Sequence, residues 1–163
     1  MSASAGSSSK RRSAEDLALH LAFQLERLAA MREAGFRQVM LKANDIVGHA
    51  GGVDAAVRAV QASGLRVTGF QVLRDFEGLS GHLHDYKIDI AKSMLEMCHA
   101  LDCRILLACS STSVHATGDP AALVRDLRKL AMLAIPMNIK VAYEALSWGR
   151  TVNEFPQAWE LIA

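Results

Sequence analysis

Between residues 15 and 162 the chain alternates stretches with apolar residues at helical spacing and short runs rich in β-branched, aromatic or continuous apolar residues. Leu21, Leu25, Leu28 and Ala29 stand at i, i+4, i+7 and i+8, which predicts a helix over about 15–34 with one inward stripe. Gly35 follows at the position where left-handed backbone costs little, and 38–41 reads as a strand. Val53, Ala56, Val57 and Val60 predict a second helix over about 53–62, closed by Gly64, with a strand over 66–72 behind it. A third helix, about 85–101, carries two adjacent stripes, Ile88/Ala91/Leu95/Cys98 and Ile90/Met94/Met97/Leu101, so a broad face of it is covered. RILLAC (104–109) is almost wholly apolar, as a parallel strand buried on both faces is. Asp119 and Pro120 form an N-cap and first-turn pair for a fourth helix, with Leu123, Leu127, Leu130 and Ala134 inward and Pro136 at its end. A strand over 139–143 follows, and Asn153 caps a last helix.

The strand centres, near residues 40, 69, 106 and 141, are separated by about 30–40 residues, the length of a βα unit. Such an alternation with buried strands predicts an α/β fold with parallel strands and right-handed crossovers. Two architectures fit: an open doubly wound sheet, the default at this length, or part of a (β/α)8 barrel, of which 163 residues supply roughly five of eight units. No GxGxxG or GxxxxGK[ST] follows any strand, which removes the usual evidence for a nucleotide-binding open sheet. In both architectures ligands sit beyond the carboxyl ends of the strands. Those ends deliver Lys42, Asn44 and Asp45; Gln71, Arg74, Asp75 and Glu77; Cys109, Ser110, Ser111 and Thr112; and Glu144, Ser147, Trp148 and Arg150. A carboxylate there suits a metal ligand, and an Arg on a neighbouring strand end suits a two-pronged clamp on a carboxylate or phosphate.

Composition narrows the picture without naming a function. Hydrophobic residues are 51% and charged residues 21%, so the chain as a whole is globular, not disordered. The net charge is +1 with no long block of like charge, which argues against a nucleic-acid or anionic-membrane surface as the main partner. The apolar runs fall short of the ~20 residues that cross a bilayer. Cys98, Cys103 and Cys109 show no CxxC spacing and read as free thiols, which places the chain in a reducing cytoplasm. Residues 1–13, MSASAGSSSKRRS, read as a disordered leader, and 14–163 as the folded part. His82 and His84 read as surface residues near a helix start, Cys109 as a packed thiol, and Met94 and Met97 as core filling.

FQVLRDFEG (70–78) and VAYEALSWGRTVNEFPQAWELI (141–162) resemble the sugar-phosphate isomerase/epimerase superfamily of xylose isomerase-like, divalent-metal TIM barrels. More narrowly they are similar to the bacterial 3-dehydroshikimate dehydratases, as is LLACSS (106–111). The resemblance implies that 14–163 is the N-terminal part of such a barrel, truncated at its C-terminal side. It implies that Glu144, the Glu of YEAL, is a ligand of a divalent metal ion (Mg, Mn or Co), and that Arg74, the Arg of RDFEG, binds the substrate. Gln71 and Trp148 lie in the same motifs and line the pocket. The implied reaction is a metal-dependent lyase reaction, dehydration of 3-dehydroshikimate to protocatechuate, on a small anionic substrate. Two features depart from the family: KAND (42–45) has Ala43 where an acid usually stands, and EDLALHLA (15–22) matches the family's first strand poorly. The later strands that supply the remaining ligands are not among these residues, so the catalytic domain reads as incomplete. Two alternatives stand beside this reading: a sugar isomerase or epimerase of the same superfamily, and an inactive fragment that associates, for example as a homo-oligomer, through uncovered sheet edges.

Overall fold

The computed structural model describes residues 26–163. Residues 26–33 are helical (α1), and the remaining elements are β1 (Gln38–Lys42), α2 (Ala43–Val47), α3 (Val53–Ser63), β2 (Arg66–Arg74), α4 (Gly81–Ala100), β3 (Ile105–Cys109), α5 (Pro120–Ala134), a 3-10 turn (Ile135–Met137), β4 (Lys140–Glu144) and α6 (Phe155–Ile162). The leader at 1–13 and the first strand-like stretch at 15–22 lie outside the described residues. The four strands form one sheet in the order β1-β2-β3-β4, and the β2–β3 and β3–β4 pairs are parallel. A doubly wound sheet reverses its order at a switch point, whereas a barrel adds each strand beside the last. The unbroken order therefore selects the partial barrel over the open sheet, with four strands described in place of about five units.

The described residues divide into two compact units: those up to Val39 together with Asn44–Arg66, and Met40–Ala43 together with Val67–Ala163. In the first, Ala56, Val57 and Val60 are the buried face of α3, and Val53, expected inward, is exposed in the opening turn. Gly64 closes α3 in left-handed backbone, and the Arg66 amide donates to the Arg37 carbonyl.

In the second unit both stripes of α4 are buried except for the half-buried Ile90, as are Leu123, Leu127, Leu130 and Ala134 of α5. Asp119 accepts from the Ala122 amide at 3.1 Å and caps α5. Two boundaries differ from expectation. α4 begins at Gly81 and not at Asp85, because Ser80 takes the extended cap conformation and His84 packs edge-on against Phe76 at 5.4 Å, drawing the first turn onto the core. The cap of α6 is Glu154 and not Asn153: Pro156 sets the first turn, and Gln157 Oε1 accepts from the amides of both Asn153 and Glu154. Leu123, Val152 and Ala158 form a cluster, with Tyr143, Ala145 and Leu161 against it, that seats α6 and the segment after β4 on α5.

Helix side and open side of the sheet differ sharply. Leu106 and Ala108 are buried, whereas their neighbours Ile105 on β3 and Lys140, Ala142 and Glu144 on β4 are exposed. Two measurements test this packing. Leu130→Ala, at a fully buried site on α5, lowers unfolding stability by about 2–5 kcal/mol in urea titration. Amides of β4, last in the strand order, exchange with solvent faster than those of β3, and equal protection would show that β4 is covered on both sides.

Candidate functional site

The carboxyl ends of β2, β3 and β4 lie side by side. Arg74 pairs with Cys109 and Cys109 with Glu144, so the three residues form one row across the sheet. Register partners in a parallel sheet share a face, and strands lie about 4.8 Å apart, so the outer two Cα atoms are separated by about 10 Å. A register shift in β2 makes this row. Phe70 pairs with Leu106, but Leu73 pairs with Ala108, so three steps on β2 match two on β3. Without that extra residue Arg74 would face Ser110 and share the buried side with Phe70; with it, Arg74 joins the open side with Glu144. Arg74 and Glu144, the two residues singled out by sequence, thus end on one face.

Between them, the Cys109 thiol is buried and donates to Glu144 Oε2 at 3.3 Å. Burial and the adjacent Glu144 carboxylate push the Cys109 pKa up to about 12, so the group stays a neutral donor. The expected packed thiol is therefore also a partner of the expected ligand. Glu144 itself is exposed.

Below the row the loops are tied by carboxyl groups. Asp75 takes left-handed backbone (φ 52°) and its Oδ1 accepts from the Thr112 amide (2.7 Å), the Thr112 hydroxyl (3.1 Å) and the Ser111 hydroxyl (3.2 Å). Burial works against its charge, but the Thr112 and Ser111 donors outweigh it and hold the carboxyl below its ordinary range. Glu77 is 1% exposed, and its Oε1 accepts from the Ser111 amide (2.6 Å), Thr151 hydroxyl (2.7 Å) and Tyr143 hydroxyl (3.0 Å). Burial raises its pKa in spite of these donors, and burial likewise raises that of Tyr143, helped by the Glu77 charge. The loop after β4 is fastened by the Leu146 amide on Ser110 Oγ and the Arg150 amide on the Ser111 carbonyl. Gly149 has no room for a Cβ, which would stand 2.5 Å from Ser110 Oγ. Gly78, at φ +78°, donates to the buried Asp126 of α5 at 2.9 Å.

Other expected residues are not gathered here. Gln71 is half-buried within the shifted stretch of β2, while Ser147, Trp148 and Arg150 stand exposed after β4. Asn44 and Asp45 fall in α2, within the other unit. His82 is exposed, but His84, expected at the surface, is half-buried with Nδ1 4.0 Å from Asp126 Oδ1. A groove of about 1040 Å³ beside α5 and α6, lined by Arg125, Arg128 and Gln157 among others, contains neither Arg74 nor Glu144. Among the described residues no three His, Cys, Asp or Glu side chains cluster as a metal site would require. Sequence reasoning placed Glu77 at a strand end but missed its partners Tyr143 and Thr151.

The family described as xylose isomerase-like TIM barrel matches residues 28–163. The chain belongs to that family. It is 36% identical over 137 residues to a 3-dehydroshikimate dehydratase of Pseudomonas aeruginosa and 35% identical to one of Pseudomonas putida, in each case over 84% of this chain and 22% of the relative. It thus spans under a quarter of those relatives' length. Among solved structures, a xylose isomerase-like TIM barrel/4-hydroxyphenylpyruvate dioxygenase fusion protein superposes with a TM-score of 0.77 at 35% identity, covering 85% of this chain and 22% of that one. A protein named IolI, described with a binding zinc atom, shares the fold at a TM-score of 0.72 and 21% identity, over 87% of this chain and 52% of its own. No helix of the described residues is long and apolar enough to cross a membrane.

The raised pKa of Glu77 carries a pH signature. Its folded-state value lies above the ordinary 4.5, so between the two the folded state binds the extra proton. Stability then falls as pH rises through that window. Glu77→Gln removes the titrating group, and its urea midpoint, measured from pH 4 upward in ~0.5-unit steps, loses this decline. An identical slope in both proteins would assign the decline to other groups.

Proposed function

We propose that this chain contributes the Arg74–Glu144 part of the active site of a divalent-metal-dependent 3-dehydroshikimate dehydratase. The observation that carries the reading is the row that sets Arg74 and Glu144 on one face at adjoining strand ends, with Cys109 between them. The similarity to dehydratases at 35–36% identity supports it. In 3-dehydroshikimate the C4 proton is α to the ketone and the C5 hydroxyl is β to it. Loss of both leaves a dienone that tautomerises to protocatechuate. Arg74 would grip the substrate carboxylate through two parallel N–H bonds and fix the ring. The roughly 10 Å between the outer strands accommodates a six-membered ring between guanidinium and carboxylate. Glu144 fits one ligand of a hard cation such as Mg²⁺, Mn²⁺ or Co²⁺: it is an exposed carboxylate whose side-chain donor, the neutral Cys109 thiol, leaves its charge in place. When bound, such a cation supplies stabilisation of the negative charge that grows on the ketone oxygen. The other ligands lie outside the described residues in this reading.

Arg74 also favours the dehydratase over a sugar isomerase or epimerase, since a neutral sugar offers a guanidinium no carboxylate. The partner is then a small anionic molecule. The three free, buried thiols suit the reducing cytoplasm that we propose as its compartment. Exposed Phe155, Trp159 and Ile162 along α6 and the exposed residues of β4 are the surfaces through which we propose that copies associate. In a version of the chain extended to a full barrel, calorimetry with Mn²⁺ tests the metal assignment: Glu144→Gln keeps the volume but not the anionic oxygen, and weakens binding about tenfold or more. Unchanged affinity would make Glu144 a structural residue. With a single ligand of this kind, the 163-residue chain forms at most a trace of protocatechuate by absorbance. A turnover within the ~1–10³ s⁻¹ usual for enzymes would overturn that assignment.

A further inference from the structure

Glu77 is an expensive residue for the place it occupies. It is 1% exposed, its hydrogen bonds come from the neutral groups Ser111, Tyr143 and Thr151, and its Oε2 is buried with no hydrogen-bond partner. A carboxyl so placed costs free energy that an apolar side chain of the same size would not. Its three donors lie on different parts of the unit: Ser111 two residues past Cys109, Tyr143 immediately before Glu144, and Thr151 in the segment after β4. Glu77 itself stands three residues past Arg74. One oxygen atom thus binds together the ends of the three strands that carry the row.

We infer that Glu77 is a positioning residue, which sets the spacing of Arg74, Cys109 and Glu144 by tying their three strand ends to one buried oxygen. The inference rests on the reading above in taking Arg74 and Glu144 as the working groups. Glu77 is itself buried, and it acts through the backbone just past β3, through Tyr143 and through Thr151. Gln in its place keeps an acceptor oxygen and the volume, whereas Ala keeps neither.

The three cysteines give a readout that separates positioning from general stability. Cys98 and Cys103 are fully buried at the far end of α4 and before β3, while Cys109 sits in the row itself. Iodoacetamide labelling of the full chain, resolved by peptide mass spectrometry, reports each thiol in one experiment. Glu77→Ala raises the Cys109 rate about tenfold or more while Cys98 and Cys103 stay slow, and Glu77→Gln stays near the wild-type rate, as local opening at one site requires. If Glu77→Ala does not fold, Tyr143→Phe combined with Thr151→Val removes two of the three donors and carries the same expectation. An unchanged Cys109 rate, or a parallel rise at all three thiols, overturns the inference. The Mn²⁺ calorimetry of Glu144→Gln in the full-barrel form separates the two readings: selective opening at Cys109 together with an Mn²⁺ affinity that Glu144→Gln leaves unchanged supports the role of Glu77 and sinks the metal assignment alone.

Discussion

Parallel pairing in a fixed register is the constraint on which the site depends. Along β3 and β4 every residue from Ile105 to Cys109 matches one from Lys140 to Glu144, without interruption. Because side chains alternate faces, a slip of one residue would send Glu144 to the helix side and bring Tyr143 to the open side. The β2 partner reaches the same row only through its one-residue shift. A feature that resembles a defect in the ladder is what moves a guanidinium from a buried face to an accessible one.

The two halves of this unit are held by different physics. On the helix side, Leu95, Leu106, Leu123 and Leu130 are nearly or fully buried, and area removed from water is the main source of stability, at about 25 cal/mol per Å². At the strand ends, beside apolar residues such as Phe76 and Leu146, polar residues are buried: Glu77, Ser110, Ser111 and, on α5, Asp126. Such groups contribute little net stability even when paired. What they supply is direction, since a hydrogen bond restricts orientation in a way that a packed leucine does not. Asp126 illustrates the link between the halves, because it lies within the apolar face of α5 and yet holds the Gly78 amide of the loop after β2.

Family membership and site geometry meet in a limited stretch of chain. The residues that match span 22% of the similar dehydratases, and within them one guanidinium and one carboxylate stand at adjoining strand ends. The neutral Cys109 thiol stands between them in the row and donates to the Glu144 carboxylate. Asp75 and Glu77, despite being acidic, make their hydrogen bonds with neutral groups and not with the guanidinium: Asp75 Oδ1 accepts from Ser111 and Thr112, and Glu77 Oε1 from Ser111, Tyr143 and Thr151.

What could be read from the residue order alone depends on interactions a few positions long. Helical stripes such as Leu123/Leu127/Leu130, the Asp119–Pro120 start and the glycines that close α1 and α3 are set by neighbours within about one turn, and they stand where the pattern places them. The α/β alternation and the strand-end positions of Arg74 and Glu144 follow from the same local periods. The periods alone left barrel and open sheet both possible, and the RDFEG and YEALSWGR motifs chose the barrel; the shift in β2 and the Glu77 hub were not legible, and the reason is distance along the chain. Glu77 meets partners 34, 66 and 74 residues away, and the register of β2 is decided by β3, beyond the whole of α4. A period of two tells which residues of one strand share a face; only the assembled sheet decides which face of the next strand they share it with.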